Sequence, residues 1–206
     1  MNEGWGKLSY FRKAVDEFLT RIGNALTELE PSQINGMVDT LVLTKAKGKK
    51  VLVIGAGRSG LVGKAFAMRL MHLGFDVHVL GETITPAVGK GDLAVVISGS
   101  GSTTIPVTTA EIAKKVGAKV LAITSYPDSP LGTIADQIVV IPGRKKSVRE
   151  DEYFSRQLLG EHESSAPLGT FFEDSCMIFL DGIIVELMKR LETSEDDMRS
   201  KHAVIE

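Results

Sequence analysis

Apolar side chains at Leu8, Phe11, Val15, Phe18, Leu19, Ile22, Leu26 and Leu29 recur at steps of three and four residues, and this spacing predicts a long amphipathic helix that Pro31 stops. A second helix is expected after Ser32. It carries Ile34, Met37, Val38, Leu41 and Val42 on one side and leaves through a basic run, Lys45 to Lys50, that suits the negative end of its dipole. From residue 50 the pattern changes to short β-branched runs at Val51–Ile54, Asp76–Leu80, Leu93–Ile97, Lys119–Thr124 and Gln137–Ile141. Helical stretches at Leu61–Leu73 and Thr104–Val116 lie between them, closed by Gly74 and Gly117. The links after Gly81 and around Ser129 to Ala135 have room for only a turn or two of helix. Strands that alternate with helices build a parallel sheet, and near-continuous apolar strands require both of its faces to be covered. The fold class is therefore α/β, a three-layer α-β-α sandwich around a five-stranded parallel sheet in doubly wound, flavodoxin-like order.

Residues 143–166 lack periodicity and mix basic with acidic groups, which predicts an exposed connection with one helical turn near Tyr153. Beyond it, Phe171 to Leu191 is apolar almost all round, so this helix is expected to be buried on every side. In a chain this small that argues for subunit contacts; a helix central to the monomer is the competing reading. Ser194 and Asp197 form an N-cap signature opening a last short helix with His202 at its far end. The expected organisation is one domain: a helical segment at 8–47, an α/β core at 50–142, the connection at 143–166 and C-terminal helices at 168–206.

Composition narrows the class. At 206 residues and 43% apolar, the chain can bury a full core without staples. Its lone Cys176 has no partner for an internal disulfide, which suits a reducing compartment, and leaves no cysteine-based metal site. Twenty-four basic against 26 acidic residues, a net charge of −2, supply no field to attract nucleic acid or an anionic membrane. The start, MNEGWGKLSYFRK, has no apolar h-region, and no run reaches the roughly 18 apolar residues of a membrane span. A soluble cytoplasmic protein is expected.

Two glycine-rich turns carry candidate chemistry. Gly55-Ala56-Gly57-Arg58-Ser59-Gly60 follows a strand and opens a helix with dinucleotide-fingerprint spacing, and Asp76 lies about 20 residues on. The bland alternative is a tight turn whose glycines serve the backbone alone; Arg58 and Ser59 favour a polar ligand. Ser98-Gly99-Ser100-Gly101-Ser102-Thr103-Thr104 also ends a strand and precedes a helix. It offers what a phosphomonoester needs: inward backbone N–H groups, hydroxyl donors and the positive end of a helix dipole. A flexible linker shares that composition but would not sit inside a βαβ unit. No lysine follows as in a Walker A loop, which points to a small ester such as a sugar phosphate. Both turns sit at carboxyl ends of strands, where open α/β sheets bind ligands.

Glu173 starts a helix beside Phe171 and Phe172 and reads equally as a catalytic base or as a first-turn helix glutamate. His202, near the chain end, is on spacing alone an exposed residue. His72 and His78 read as packing residues and His162, between Glu161 and Glu163, as a solvated loop histidine. No histidine pair has metal-ligand spacing, so no catalytic metal is expected.

Taken together, several segments resemble the 6-phospho-3-hexuloisomerases of the sugar isomerase (SIS) superfamily. They are Gly55 to Gly60, Ala65 to Gly74, Gly81-Glu82, the loop Ser98 to Thr103, Pro167 to Thr170 with Phe172-Glu173, and His202-Ala203. The resemblance spans residues 8–206. It implies interconversion of D-arabino-3-hexulose 6-phosphate and D-fructose 6-phosphate in the ribulose monophosphate pathway, by an enzyme commonly assembled as a homotetramer with sites shared between subunits. It further implies that Ser98, Ser100 and Thr103 hold the phosphate, that Gly57, Arg58 and Ser59 face the sugar, and that Glu173 and His202 act as acid–base residues. Moving a carbonyl from C2 to C3 requires a proton shuttle and a stabilised enediolate, and demands no cofactor. Three alternatives stay open: another SIS aldose–ketose isomerase, such as one for arabinose 5-phosphate; a non-catalytic SIS module that binds a sugar phosphate; and a dinucleotide-dependent oxidoreductase built on the 55–60 turn.

Overall fold

The computed structural model describes residues 8–143 and 169–201. Two helices, α1 (Ser9–Thr27) and α2 (Pro31–Ala46), precede the alternating core. That core runs β1 (Val51–Gly55), α3 (Gly57–His72), β2 (Val77–Val79), β3 (Leu93–Ile97), α4 (Thr104–Lys115), β4 (Lys119–Thr124), α5 (Pro130–Ile134) and β5 (Gln137–Val140). Two C-terminal helices follow, α6 (Thr170–Arg190) and α7 (Glu195–Arg199). The five strands form one parallel sheet in the order β2-β1-β3-β4-β5, the doubly wound order expected.

Alternation along the strands divides the core in two. Val51, Val53, Val95, Ile97, Leu121 and Ile123 face the layer built by α2, α3 and α6. Leu52, Ile54, Ala94, Val96, Val120 and Ala122 face α4 and α5, whose contacts are the smaller Ala110, Ala113 and Leu131. The edge strand β5 is held by α2: Gln33 Oε1 accepts from the Val140 N–H at 2.8 Å, and Thr40 donates to Gln137 at 2.9 Å.

Several boundaries differ from expectation for identifiable reasons. Pro31 does not merely stop α1; it occupies the first helical position of α2, where a missing N–H costs nothing. Helix α3 begins at Gly57, not Leu61, so the glycine-rich turn is itself the first helical turn. On α1 only Ile22 and Ala25 are buried, and the expected core positions Leu8, Phe11 and Leu19 are exposed. Helix α6 buries a broad side against α1, α2 and α3 but leaves Ile178 and Val185 exposed, so in the single chain it is central without being enclosed. The Ser194 capping box opens α7 as the sequence predicts: Ser194 Oγ accepts from the Asp197 N–H at 3.1 Å, and Asp197 Oδ2 accepts from the Ser194 N–H at 2.9 Å. The connection at 144–166, with Tyr153 and His162, and the tail from His202 lie outside the described residues.

Candidate active site

Sheet order decides where a ligand can sit. The chain leaves β1 toward β2 on one side and β3 toward β4 and β5 on the other, so the crevice at the switch point lies between the carboxyl ends of β1 and β3. Those ends are neighbours in register, Gly55 opposite Ile97. Both glycine-rich turns therefore start side by side.

The first turn is tightly wound against its own strand. A Cβ on Gly55 would lie 2.8 Å from the Ser59 carbonyl oxygen, and one on Gly60 3.0 Å from the Gly55 carbonyl oxygen, so these two glycines serve strand-to-helix packing. Gly57 is exposed and faces open space, Ser59 is buried, and Arg58 projects outward. The dinucleotide reading loses its acidic partner here. Asp76 precedes β2 at the opposite end of the sheet, level with Lys50 and so five residues, about 16 Å along the strand at about 3.3 Å per residue, from Gly55. Its carboxylate is hydrogen-bonded to His78 Nε2 at 2.7 Å, and His78, partly buried on β2, combines that bond with the packing expected of it. His72, in contrast, is buried as expected.

In the second turn Ser98 is buried, and the Ser98 carbonyl accepts from the Gly101 N–H at 3.0 Å to close a tight bend. Ser100 and Thr103 are exposed with hydroxyls 3.4 Å apart, and Ser100 Oγ accepts from the Ser102 N–H at 3.2 Å. Thr103 is the N-cap of α4 yet makes no side-chain capping bond, so the opening turn of that helix keeps its positive end uncapped beside the hydroxyls. The bend is braced from outside. Gly99 O accepts from the Ser125 N–H at 3.1 Å, Gly101 O accepts from the Leu131 N–H at 3.0 Å, and Phe172 of α6 covers Gly99.

That last contact brings Glu173 to the crevice. Glu173 sits in the opening turn of α6, its side chain only 13% exposed, and its carboxylate accepts from Arg58 Nε at 2.9 Å. Gly169 makes room for it: this residue has φ +88°, and a Cβ there would lie 2.8 Å from both carboxylate oxygens. Asp174, which the sequence reading did not single out, accepts from Arg58 Nη2 at 3.1 Å. The available signal was its place beside Glu173 in an otherwise apolar helix start. Cys176, one turn on, is no nucleophile: burial, reinforced by the Glu173 charge, pushes its thiol far up.

Arg58, Glu173 and the Ser98–Thr103 loop thus converge on one rim, an arrangement able to hold an anion and move a proton. Among the described residues no group of three or more His, Cys, Asp or Glu side chains is arranged to hold a metal ion, and no helix is long and apolar enough to cross a membrane.

The SIS domain model matches residues 43–158. An uncharacterized protein of Aeropyrum pernix is 57% identical, covering 94% of this chain and 92% of that protein. The 3-hexulose-6-phosphate isomerase of Mycobacterium gastri is 37% identical over 90% of this chain and 86% of its own. A crystal structure from Methanococcus jannaschii, for which a molecular function of 3-hexulose-6-phosphate isomerase is inferred, matches with a TM-score of 0.71 at 34% identity, covering 94% of this chain and 98% of that one.

Proposed function

Because the chain belongs to the SIS domain family, we propose that the rim formed by Arg58, Glu173 and the Ser98–Thr103 loop is the active site of a 3-hexulose-6-phosphate isomerase. The reaction interconverts D-arabino-3-hexulose 6-phosphate and D-fructose 6-phosphate. The observation that carries this reading is the 2.9 Å pair between Arg58 and Glu173 beside a serine-rich loop, at the switch point of the sheet.

In this mechanism the loop binds the phosphate through its backbone amides, the Ser98, Ser100 and Thr103 hydroxyls and the open end of α4. The phosphate anchors the chain of the sugar so that C2 and C3 pass Glu173. The carboxylate removes the C3 proton of fructose 6-phosphate and returns a proton to C2, one base serving adjacent carbons of a common enediolate. A free glutamate, near pKa 4.3, is a weak base toward a carbon acid, so the barrier falls chiefly through positioning and through donors to the enediolate oxygens. Arg58 supplies such donors, Gly57 leaves open space for the sugar, and Ser59 lines the base of the turn. His202 is assigned the transfer of protons between oxygens or the opening of the sugar ring.

The enzyme is further proposed to be a cytoplasmic homotetramer with His202 reaching a neighbour's site. Leu8 just before α1, Phe11 and Leu19 on α1, and Ile178 and Val185 on α6 support an assembly, since each is an apolar side chain exposed in the single chain. Co-assembled Glu173→Gln and His202→Ala chains regain activity if sites are shared, and stay as inactive as their parents if His202 acts within its own subunit.

The substrate assignment is tested by turnover. Purified protein is expected to convert 3-hexulose 6-phosphate to fructose 6-phosphate after dialysis against EDTA and without added nicotinamide, and to leave arabinose 5-phosphate untouched. Preferred turnover of arabinose 5-phosphate would assign the site to an aldose–ketose isomerase.

A further inference from the structure

Glu173 and Asp174 are consecutive on α6, yet both reach the same guanidinium, Glu173 at Nε and Asp174 at Nη2. Those two nitrogens form one edge of the planar fork. A single contact at Nε would fix the position of the guanidinium but leave its plane free to turn. The second contact fixes the plane. This matters because the Arg58 side chain is 55% exposed, so burial alone restrains its rotamer only in part. With the Nε–Nη2 edge occupied, Nη1 and the remaining Nη2 hydrogen form the end of the fork, and among the described residues Nη1 has no partner. A preorganised pair of donors is what a developing enediolate needs, and donors that must first be aligned are worth far less.

We propose that Asp174 is a positioning residue that sets the plane of the Arg58 guanidinium, so that its free end is presented to the paired oxygens of a sugar enediolate. The proposal rests on the reading of Glu173 as the base. An ordinary surface ion pair would behave differently: Asp174 is 39% exposed, and such pairs contribute only weakly to stability.

The test is steady-state kinetics on fructose 6-phosphate with melting curves for each variant. Asp174→Asn is expected to lower kcat about 10-fold while KM stays within about threefold, because the lost alignment is felt in the transition state more than in binding. Asp174→Glu, which keeps the charge, is expected to recover at least about a third of wild-type kcat. In an Arg58→Lys background, where an ammonium has no plane to set, Asp174→Asn is expected to cost less than about twofold more. Asp174→Ser repeats the series should the asparagine variant fold poorly. The proposal is overturned by kcat within twofold of wild type, by a loss that multiplies undiminished into Arg58→Lys, or by a change in melting temperature alone. Glu173→Gln is measured alongside. If it keeps activity, the reading of the base fails whatever Asp174 does; if it is inactive while Asp174→Asn is fully active, only the positioning role fails.

Discussion

Gly101→Ala is the substitution whose consequence follows most directly from the packing of the Ser98–Thr103 loop. Gly101 has φ +61°, a left-handed conformation that costs an L-residue about 1–2 kcal/mol. Space is the larger difficulty. A Cβ there would lie 1.9 Å from Ser129 Oγ, 2.5 Å from Ser129 Cβ and 3.0 Å from Thr124 Oγ1, where ordinary contact begins at 3.4 Å. Ser129 cannot simply swing away, because its Oγ caps α5 by accepting from the Gly132 N–H at 3.2 Å, a bond whose loss costs about 1 kcal/mol. Either the cap breaks or the bend moves by about an ångström. The expected destabilisation is about 2–4 kcal/mol, within the range for overpacking combined with backbone strain. If the Ser98–Thr103 loop holds the phosphate as proposed, moving it by that distance is expected to lower kcat/KM on fructose 6-phosphate by up to about 100-fold. Urea denaturation and initial rates measure the two effects. Gly23→Ala is the control: Gly23 lies inside α1 with nothing near its missing Cβ, and alanine should stabilise there by about 0.5–1 kcal/mol. A Gly101→Ala protein within about 0.5 kcal/mol and twofold activity of wild type would refute the packing argument.

Ser100→Ala and Thr103→Ala are each expected to lower kcat/KM about 10- to 100-fold on phosphorylated substrate and to leave any trace turnover of free fructose unchanged, since each deletes one donor to a charged ester. Equal losses on both sugars would make the hydroxyls structural. At the opposite end of the sheet, Asp92 Oδ1 accepts from the Lys50 N–H at 3.0 Å and Oδ2 from the Gly89 N–H at 2.9 Å. Burial alone would push this carboxyl up, but those two amides and the Lys50 ammonium outweigh it and hold it below the usual range. Its contribution is therefore present above about pH 4 and lost as pH falls through the lower native pKa. Asp92→Asn is expected to cost about 2 kcal/mol at pH 7, with the gap to wild type narrowing only below about pH 4; a gap constant down to pH 2 would contradict this.

Alternation of strand and helix was legible because burial on both sheet faces leaves runs of apolar residues that nothing else in the chain imitates. Leu93–Ile97 and Lys119–Thr124 are strands over the expected residues. The start of α3 was not legible, because glycine reads as a turn while Gly57 here accepts a positive φ and still opens the helix. Nor was the exposure of Leu8, Phe11 and Leu19, since periodicity says which residues share a face but not whether that face meets its own chain. Both loops of the candidate site were legible from composition and position. The meeting of Arg58 with Glu173, 115 residues apart, was not: it depends on α6 laying Phe172 over Gly99, a contact that no local pattern encodes. Asp76 shows the converse, a correct spacing that the fold places at the wrong end of the sheet.

Glu173 is proposed to move a proton between C3 and C2 of a phosphorylated ketose. Fructose 6-phosphate carrying deuterium at C3 tests it most directly, followed by NMR with wild-type protein and with Glu173→Gln. Wild type is expected to remove deuterium from C3, delivering it to solvent or to C2 of the hexulose, while a parallel sample labelled at C1 keeps its label. Glu173→Gln is expected to slow this loss about 10²- to 10⁴-fold, as for removal of a general base. Loss of label from C1 with C3 intact, or loss from C3 at an undiminished rate in Glu173→Gln, would contradict it.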